Sequence, residues 1–163
     1  MDTLEIERIL KNQLKGVFTG VYPEDRLPRV LRRPLAIVVN TDPSDLPGRH
    51  WVAVWISRDG FGEHFDTRGI PPEPPLRRYL ERMAPKGFIH NKRRIQSGFT
   101  TICGMYVIEF LISRRRNPRL KYDRLLQTLY PFSDPFQNDL ETYRRFQEQY
   151  GDKQRPLIDL RYT

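Results

Sequence analysis

The 163 residues are 38% apolar and 29% charged, which is typical of a globular domain with its own core, and we expect one domain spanning residues 1–163. No apolar run approaches the roughly 18 residues of a membrane-spanning helix, and the first residues lack the basic and apolar segments of a signal peptide. Cys103 is the only cysteine, which excludes an internal disulfide and leads us to expect a reducing, intracellular compartment.

The formal net charge is +8, and a field of this sign attracts polyanions such as nucleic acids. The basic residues are scattered in short groups, and no known nucleic-acid-binding motif is visible. Aromatic residues do not alternate with these groups as a base-stacking surface would require. Two alternatives stay open: non-specific binding to nucleic acid, or a solvated surface without a specific partner.

The N-terminal part of the chain predicts one helix and a connector. Apolar residues recur at helical spacing after Thr3, and Gly16 is suited to end the helix. These apolar residues are Ile6, Ile9, Leu10 and Leu14. Residues 17–34 contain Gly20 and several prolines, so we predict an irregular connector with at most one turn of helix near residues 23–27.

The next segment predicts a buried strand followed by a hairpin. Residues 35–40 are apolar and β-branched, which predicts a strand buried on both faces, and residues 41–49 have the composition of a loop. Residues 50–57 and 61–66 predict two further strands. The Asp59-Gly60 turn signal between them predicts that these two strands pair antiparallel.

The open end of this hairpin brings two chemically useful side chains together. His50 begins the first strand and Asp66 ends the second, and a turn near Asp59 places the start of one strand beside the end of the other. A carboxylate beside an imidazole orients the ring, fixes its tautomer and stabilises its protonated form. The spacing therefore predicts a His50–Asp66 pair.

The second half of the chain is predicted to be mainly helical. Helices are expected over residues 73–84, 102–116, 121–130 and 133–150, with an extended segment over residues 88–96. Asp134 followed by Pro135 fits the start of the last helix. The packing face of this helix is predicted to carry Phe136, Leu140, Tyr143 and Phe146. We expect the last dozen residues, which are polar, to be loosely held.

Cys103 is the candidate nucleophile. It follows Thr100 and Thr101, which are suited to cap a helix, and it precedes an apolar run. At a helix N-terminus, unpaired N–H groups and the positive end of the helix dipole favour the thiolate. The alternative is an unreactive cysteine that packs like a small apolar side chain.

His50 has two competitors for the role of general base. His64 lies mid-strand and could share a face with Asp66, whereas His90 lies in a basic segment. The three histidines and Cys103 are scattered without paired ligand spacing, so no metal site is predicted. The sequence also lacks a glycine-rich phosphate loop and a nucleophile-elbow motif.

Together these residues resemble the active site of a known family. His50-Trp51 opens a strand, Asp66 closes the next, and six residues separate Gln96 from Cys103-Gly104. This pattern is similar to that of the adenovirus-type cysteine proteases and, more distantly, of the ubiquitin-like-protein-specific proteases. Shorter strings look most like the proteases of Maverick/Polinton DNA transposons and related viruses. These strings are Val39-Asn40-Thr41, Phe65-Asp66 with Gly69, and residues 91–97.

The resemblance implies an α+β, papain-like cysteine protease fold, in which a central helix carrying Cys103 packs on a small, mostly antiparallel sheet. It implies that Cys103 is the nucleophile, that His50 is the general base and then acid, and that Asp66 orients His50. The Gln96 amide and the Cys103 backbone N–H would donate to the oxyanion. Trp51 would shield the histidine ring or serve as plain core, and the two roles overlap.

The resemblance also implies an endopeptidase that acts on protein substrates and matures viral or transposon capsid proteins. The alternatives are an isopeptidase that removes ubiquitin-like modifiers, and a catalytically quiet, basic DNA- or capsid-binding protein. Adenovirus proteases use an activating peptide that is disulfide-linked to a second cysteine, and since Cys103 stands alone such a cofactor is excluded. No other cofactor is required and no cofactor-binding residue is assigned, although the charge allows activation by DNA. We expect a monomer, without membrane contact, in the nucleus or the virion.

Overall fold

The computed structural model describes residues 1–41, 50–151 and 156–158. Within these ranges, five α-helices and one five-stranded sheet form an α+β fold, as the sequence predicts. In chain order the elements are α1 (Thr3–Gln13), β1 (Phe18–Pro23), β2 (Leu35–Asn40), β3 (Trp51–Ile56), β4 (Gly62–Phe65), α2 (Pro74–Met83), β5 (Phe88–His90), α3 (Cys103–Arg116), α4 (Tyr122–Leu129) and α5 (Pro135–Tyr150). None of the helices in the described ranges is long and apolar enough to cross a membrane.

The strands follow one another across the sheet in the order β1-β2-β3-β4-β5. β3 runs antiparallel to both β2 and β4, whereas the outer strands β1 and β5 run parallel to their neighbours. The sheet is therefore mixed rather than mostly antiparallel as predicted. The hairpin predicted from Asp59-Gly60 is present, with Ala53 of β3 opposite Phe65 of β4. His50 therefore enters the sheet close to the point where β4 ends.

α3 lies in the core, because the sheet and the other helices cover nearly all of its surface. It packs with α1 on one face of the sheet, while α2 covers the other face. The ring of Phe110 stacks on that of Phe65 with 4.6 Å between ring centroids. Near the end of α3, the buried Arg114 pairs with Glu63 of β4 at 2.8 Å. These contacts hold α3, which begins at Cys103, against β4.

The predicted connector over residues 17–34 is wrong in its first part. β1 occupies residues 18–23 and pairs with β2 through an irregular register. A strand at the edge of a sheet tolerates glycine and proline, so composition alone hides it. The predicted turn of helix is a simple turn in which the Arg26 N–H donates to the Pro23 carbonyl oxygen at 3.0 Å.

Two helix ends differ from their predictions. α1 is capped by the carboxylate of Asp2, and it ends before Gly16, which lies in the following turn at φ 78°. The N-cap of α3 is Ile102, which has no side-chain capping bond, rather than Thr100 or Thr101. The N–H groups at the start of α3 are therefore not satisfied by a capping side chain.

The predicted packing face of α5 is wrong in part. Phe146 is buried as predicted, but Leu140 is 39% exposed. The polar residues Asn138, Asp139 and Thr142 are buried instead. α5 turns this polar stripe inward because it packs against a polar loop as well as against α3.

Most of the predicted loop over residues 41–49 and of the predicted loose tail lies outside the described residues. The tail is described only at residues 156–158. There the carbonyl oxygen of Leu157 accepts a hydrogen bond from the Thr101 N–H at 3.5 Å.

His64 lies inside the sheet. It stands opposite Val54 of β3 and His90 of β5, and it is almost fully buried. Its Nδ1 has no hydrogen-bond partner among the described residues. Burial lowers the pKa of His64 from 6.5 to about 4, and the charge of Asp66 opposes this only in part. The folded protein therefore holds the neutral ring.

We predict that His64 makes the protein sensitive to acid. Because the pKa of His64 is lower in the folded state, the free energy of unfolding should fall as the pH drops from 6.5 towards 4. The loss should be on the order of 3 kcal/mol. His64→Gln should remove this part of the pH dependence, whereas His90→Gln, on the half-buried β5, should retain it. Urea unfolding over this pH range measures the difference, and identical pH profiles for wild type and His64→Gln would contradict the prediction.

Candidate active site

The first pair of the site lies at the open end of the β3–β4 hairpin. His50 directly precedes β3 and Asp66 directly follows β4, and His50 Nε2 lies 2.9 Å from Asp66 Oδ1. The pairing that the hairpin spacing predicts is therefore present. The side chain of Asp66 is 3% exposed and that of His50 is 14% exposed, so water screens their interaction only weakly.

Arg68 and Asn91 hold Asp66 in place. Arg68 Nε and Nη2 donate to the carboxylate oxygens at 3.2 and 3.0 Å, and the Arg68 backbone N–H donates at 2.8 Å. Asn91 Oδ1 accepts from the Asp66 N–H at 3.0 Å, and Asn91 Nδ2 donates to the Asp66 carbonyl oxygen at 2.6 Å. Burial alone would raise the pKa of Asp66, but the hydrogen bonds from His50 and Arg68 hold it well below its usual range. Asp66 is therefore a fixed anion.

Sequence reasoning assigned no role to Arg68 or Asn91. A local signal for Arg68 does exist, because an aspartate readily accepts the backbone N–H two residues later in an Asx turn. Gly69 completes this turn at φ 73°, a conformation that favours glycine. Asn91 is 25 residues from Asp66, and no sequence spacing indicates that contact.

Cys103 is the first residue of α3, and its buried thiol interacts with the His50 ring. Because Asp66 engages Nε2, Nδ1 is the ring nitrogen that remains for the thiol. The backbone N–H groups of Trp51 and Gly104 also favour the charged form of the sulfur. Burial alone would raise the pKa of Cys103, but His50 and these two N–H groups lower it below its ordinary value.

His50 shows the complementary shift. Burial alone would lower its pKa, but the hydrogen bonds to Asp66 and Cys103 outweigh burial and raise the pKa of His50 from 6.5 to about 9. A lowered pKa of the thiol beside a raised pKa of the imidazole favours a thiolate next to an imidazolium. Both shifts therefore favour the charged forms of Cys103 and His50.

Gln96 is buried at the start of the loop formed by residues 97–102. Its Oε1 accepts from Thr67 Oγ1 at 2.7 Å, and its Nε2 lies 3.0 Å from the carbonyl oxygen and 3.2 Å from Oγ1 of Thr100. A carbonyl oxygen only accepts, so the amide nitrogen is the end that faces Thr100. Among the described residues, the side-chain partners of Gln96 are thus Thr67 and Thr100 rather than Cys103.

His50 is the histidine that contacts both Asp66 and the thiol. His64 is enclosed in the sheet, and His90 Nδ1 lies 3.1 Å from the Asn91 carbonyl oxygen. Trp51 is buried in the same apolar cluster as Cys103, which fits its predicted role in core packing. Within the ranges that the structure covers, no three histidine, cysteine, aspartate or glutamate side chains are grouped so as to hold a metal ion.

Comparison with known proteins gives a distant viral relative. The sequence matches no protein-family model. Over 116 residues it is 30% identical to a cysteine protease of African swine fever virus, and the match covers 61% of this chain and 41% of that protein. The chain is a distant relative of a viral cysteine protease. It spans less than half of the length of this curated relative.

Solved structures agree on the fold. A crystal structure of an African swine fever virus protease matches with a TM-score of 0.61 at 18% identity, covering 86% of this chain and 65% of that one. The central domain of an uncharacterised Legionella pneumophila protein matches with a TM-score of 0.54 at 14% identity, covering 93% and 98% of the two chains. These matches confirm the predicted α+β, papain-like cysteine protease fold. At such identities they concern the fold alone.

We predict that Asp66→Asn lowers the pKa of His50. Loss of the carboxylate removes the charge that stabilises the imidazolium, so the pKa should fall from about 9 by about 1–3 pH units. The thiolate fraction at neutral pH should fall with it. NMR titration of the His50 ring and the rate of Cys103 alkylation by iodoacetamide across a pH series measure both effects.

The matched control for this prediction is Asp59→Asn, which removes an exposed carboxylate from the hairpin turn. It should change neither the titration of His50 nor the alkylation of Cys103. An Asp66→Asn protein whose His50 titrates as in wild type would show that Asp66 does not set the charge of the ring.

Proposed function

We propose that the chain is a cysteine peptidase that cleaves peptide bonds by thiolate attack. The proposal is carried by one observation: an unbroken chain of contacts from Cys103 through His50 to Asp66, with the pKa of the thiol lowered and that of the imidazole raised. A nucleophilic cysteine requires such a partner at neutral pH, whereas a cysteine that only fills the core does not. The distant relation to a viral cysteine protease supports the same activity.

In the first half of the proposed reaction, Cys103 Sγ attacks the carbonyl carbon of the scissile bond, and the π electrons move to the carbonyl oxygen. The Cys103 backbone N–H and the Gln96 amide donate to this oxyanion. When the C–N bond breaks, protonated His50 gives its proton to the leaving amine, and an acyl thioester remains on Cys103. Asp66 keeps the ring oriented and exchanges no proton.

In the second half, a water molecule attacks the thioester carbonyl while neutral His50 takes its proton. The same donors stabilise the second oxyanion. Collapse of this intermediate breaks the C–S bond and releases the carboxylic acid product. The thiolate leaves beside the newly protonated His50, so the charged pair that began the cycle is restored.

We further propose that the enzyme is an endopeptidase of the adenovirus type and that its substrates are viral or transposon capsid proteins. The order His50, Asp66, Gln96, Cys103 supports the type, and the viral source of the matched relative supports the setting. The protein is proposed to act as a monomeric, single protease domain in the nucleus or the virion. No disulfide-linked peptide takes part, because Cys103 is the only cysteine.

We predict that wild-type protein cuts capsid proteins and that Cys103→Ala does not. Each protein is incubated with the capsid proteins encoded beside it and, separately, with ubiquitin-like precursors. Mass spectrometry of the products then identifies new termini. We expect cleavage of the capsid proteins at small-residue, glycine-containing sites, because the resemblance to adenovirus-type proteases implies them. Cys103→Ala should leave all substrates intact, since no other thiol is present.

Two results would change the proposal. Cleavage confined to the ubiquitin-like precursors would contradict the proposed capsid protease and support the isopeptidase alternative. If the substrates stay intact in both incubations and the protein binds DNA or capsid protein, the result would contradict the proposed peptidase and support a catalytically quiet binding protein.

We propose DNA as an activator on the basis of the net charge of +8. If phosphates bind the basic surface, peptide cleavage should rise when double-stranded DNA is added, and the rise should fade with increasing salt because counterion release weakens. Steady-state cleavage across a salt series, with and without DNA, measures this effect. If the cleavage rate does not respond to DNA at any salt concentration, the basic residues form a solvated surface without a specific partner.

A further inference from the structure

α5 carries a buried carboxylate next to the loop that leads to Cys103. Asp139 is 0% exposed. Its Oδ2 accepts from Ser97 N at 3.1 Å, from Ser97 Oγ at 2.5 Å and from Thr100 Oγ1 at 2.9 Å. Its Oδ1 accepts from the Tyr106 hydroxyl of α3 at 2.6 Å. A buried anion is stable only with such donors, and four of them hold the carboxylate in one orientation.

The hydroxyl of Thr100 links Asp139 to Gln96. A hydroxyl has one hydrogen, and an ionised carboxylate only accepts, so Thr100 Oγ1 donates to Asp139. Towards Gln96 the same hydroxyl oxygen can then only accept, and Gln96 Nε2 lies 3.2 Å from it. The charge of Asp139 thereby favours one of the two ways in which the Gln96 amide can be turned, with the nitrogen on the Thr100 side.

The residue before Asp139 fixes the chain on the other side of Gln96. Asn138 Nδ2 donates to the Ile95 carbonyl oxygen at 3.2 Å. The same side chain is itself held by the backbone of Phe132, from whose N–H it accepts and to whose carbonyl oxygen it donates. α5 therefore holds the backbone both before and after Gln96.

We propose that Asp139 is a positioning residue for the peptidase reaction: by fixing Ser97 and Thr100, it keeps the nitrogen of the Gln96 amide, rather than its oxygen, available to the oxyanion. This inference rests on the proposed function, in which Gln96 is an oxyanion donor. One N–H of Gln96 can be shared between the two acceptor atoms of Thr100, which leaves the other N–H for the substrate. Asp139 touches no reacting atom and exchanges no proton.

The test compares Asp139→Asn with Gln96→Ala and with the double variant. Asparagine keeps the shape of the side chain, but one carboxylate oxygen becomes an NH2 group that cannot accept, and the charge that strengthens the hydrogen bonds from Ser97 and Thr100 is lost. Glu141→Gln is the matched control, because it removes an exposed carboxylate from the same helix. Each protein is assayed with a fluorogenic peptide that spans the mapped cleavage site. Iodoacetamide alkylation of Cys103 is measured in parallel, since that reaction forms no oxyanion.

We expect Asp139→Asn to lower kcat between about 10- and 100-fold, because the Gln96 amide is then less well placed to donate to the oxyanion in the transition state. KM should change little, since the bound substrate carries no oxyanion. Gln96→Ala should lower kcat by ~10²–10³. The double variant should be no slower than Gln96→Ala alone, since Asp139 acts through Gln96. Alkylation should proceed at the wild-type rate in Asp139→Asn, and Glu141→Gln should match wild type in every assay.

Thr100→Val provides a second route to the same result if Asp139→Asn folds poorly. It removes the linking hydroxyl while Asp139 keeps its bonds to Ser97 and Tyr106, and it should lower kcat in the same way. Wild-type kcat in both Asp139→Asn and Thr100→Val, or a double variant in which the two losses multiply, would overturn the positioning role and leave the peptidase intact. A wild-type protein that cleaves no peptide would overturn the proposed function, and this role with it.

Discussion

The hydrogen bond between His50 and Asp66 fixes an imidazole between a buried anion and a thiol, and the rest of the site depends on it. Both residues lie just outside the ends of adjacent strands, so the register of the β3–β4 hairpin decides whether they meet. A slip of one residue would turn one of the two side chains to the opposite face of the sheet. The register is held by the apolar residues of both strands, which pack against α3 and α2. The energy that places the pair thus comes from the core of the sheet.

Burial acts on the charged pair in two opposite ways. It disfavours each isolated charge, and it strengthens the attraction between charges that are close together. In this site the attraction prevails, because polar groups accompany the charges: Arg68 donates to Asp66, and the N–H groups of Trp51 and Gly104 favour the charged form of Cys103. At His64, which is also buried in the sheet, the cost of burying a charge prevails instead. It is buried without a comparable partner, and it is held neutral.

The elements that could be predicted from the sequence are those with periodic or local signals. The hairpin follows from two strand-like runs joined by a turn dipeptide, and α2, α4 and α5 follow from apolar spacing. β1 was missed because an edge strand that ends in proline has the composition of a loop. In the site, His50 and Asp66 could be paired by counting along a hairpin, whereas a role for Gln96 came only from family resemblance. Asn91 and Asp139 act on partners 25 and about 40 residues away, and no local pattern indicates such contacts.

The hydrogen bond between Ser97 and Asp139 joins residues that are 42 positions apart in the chain. α5 is the last helix to be synthesised among those described, so the sheet and α3 leave the ribosome before Asp139 does. Until α5 docks, the thiol can meet its histidine, but the loop that carries Gln96 lacks the carboxylate that holds it. Docking of α5 is therefore the step that completes the support of the chain on both sides of Gln96.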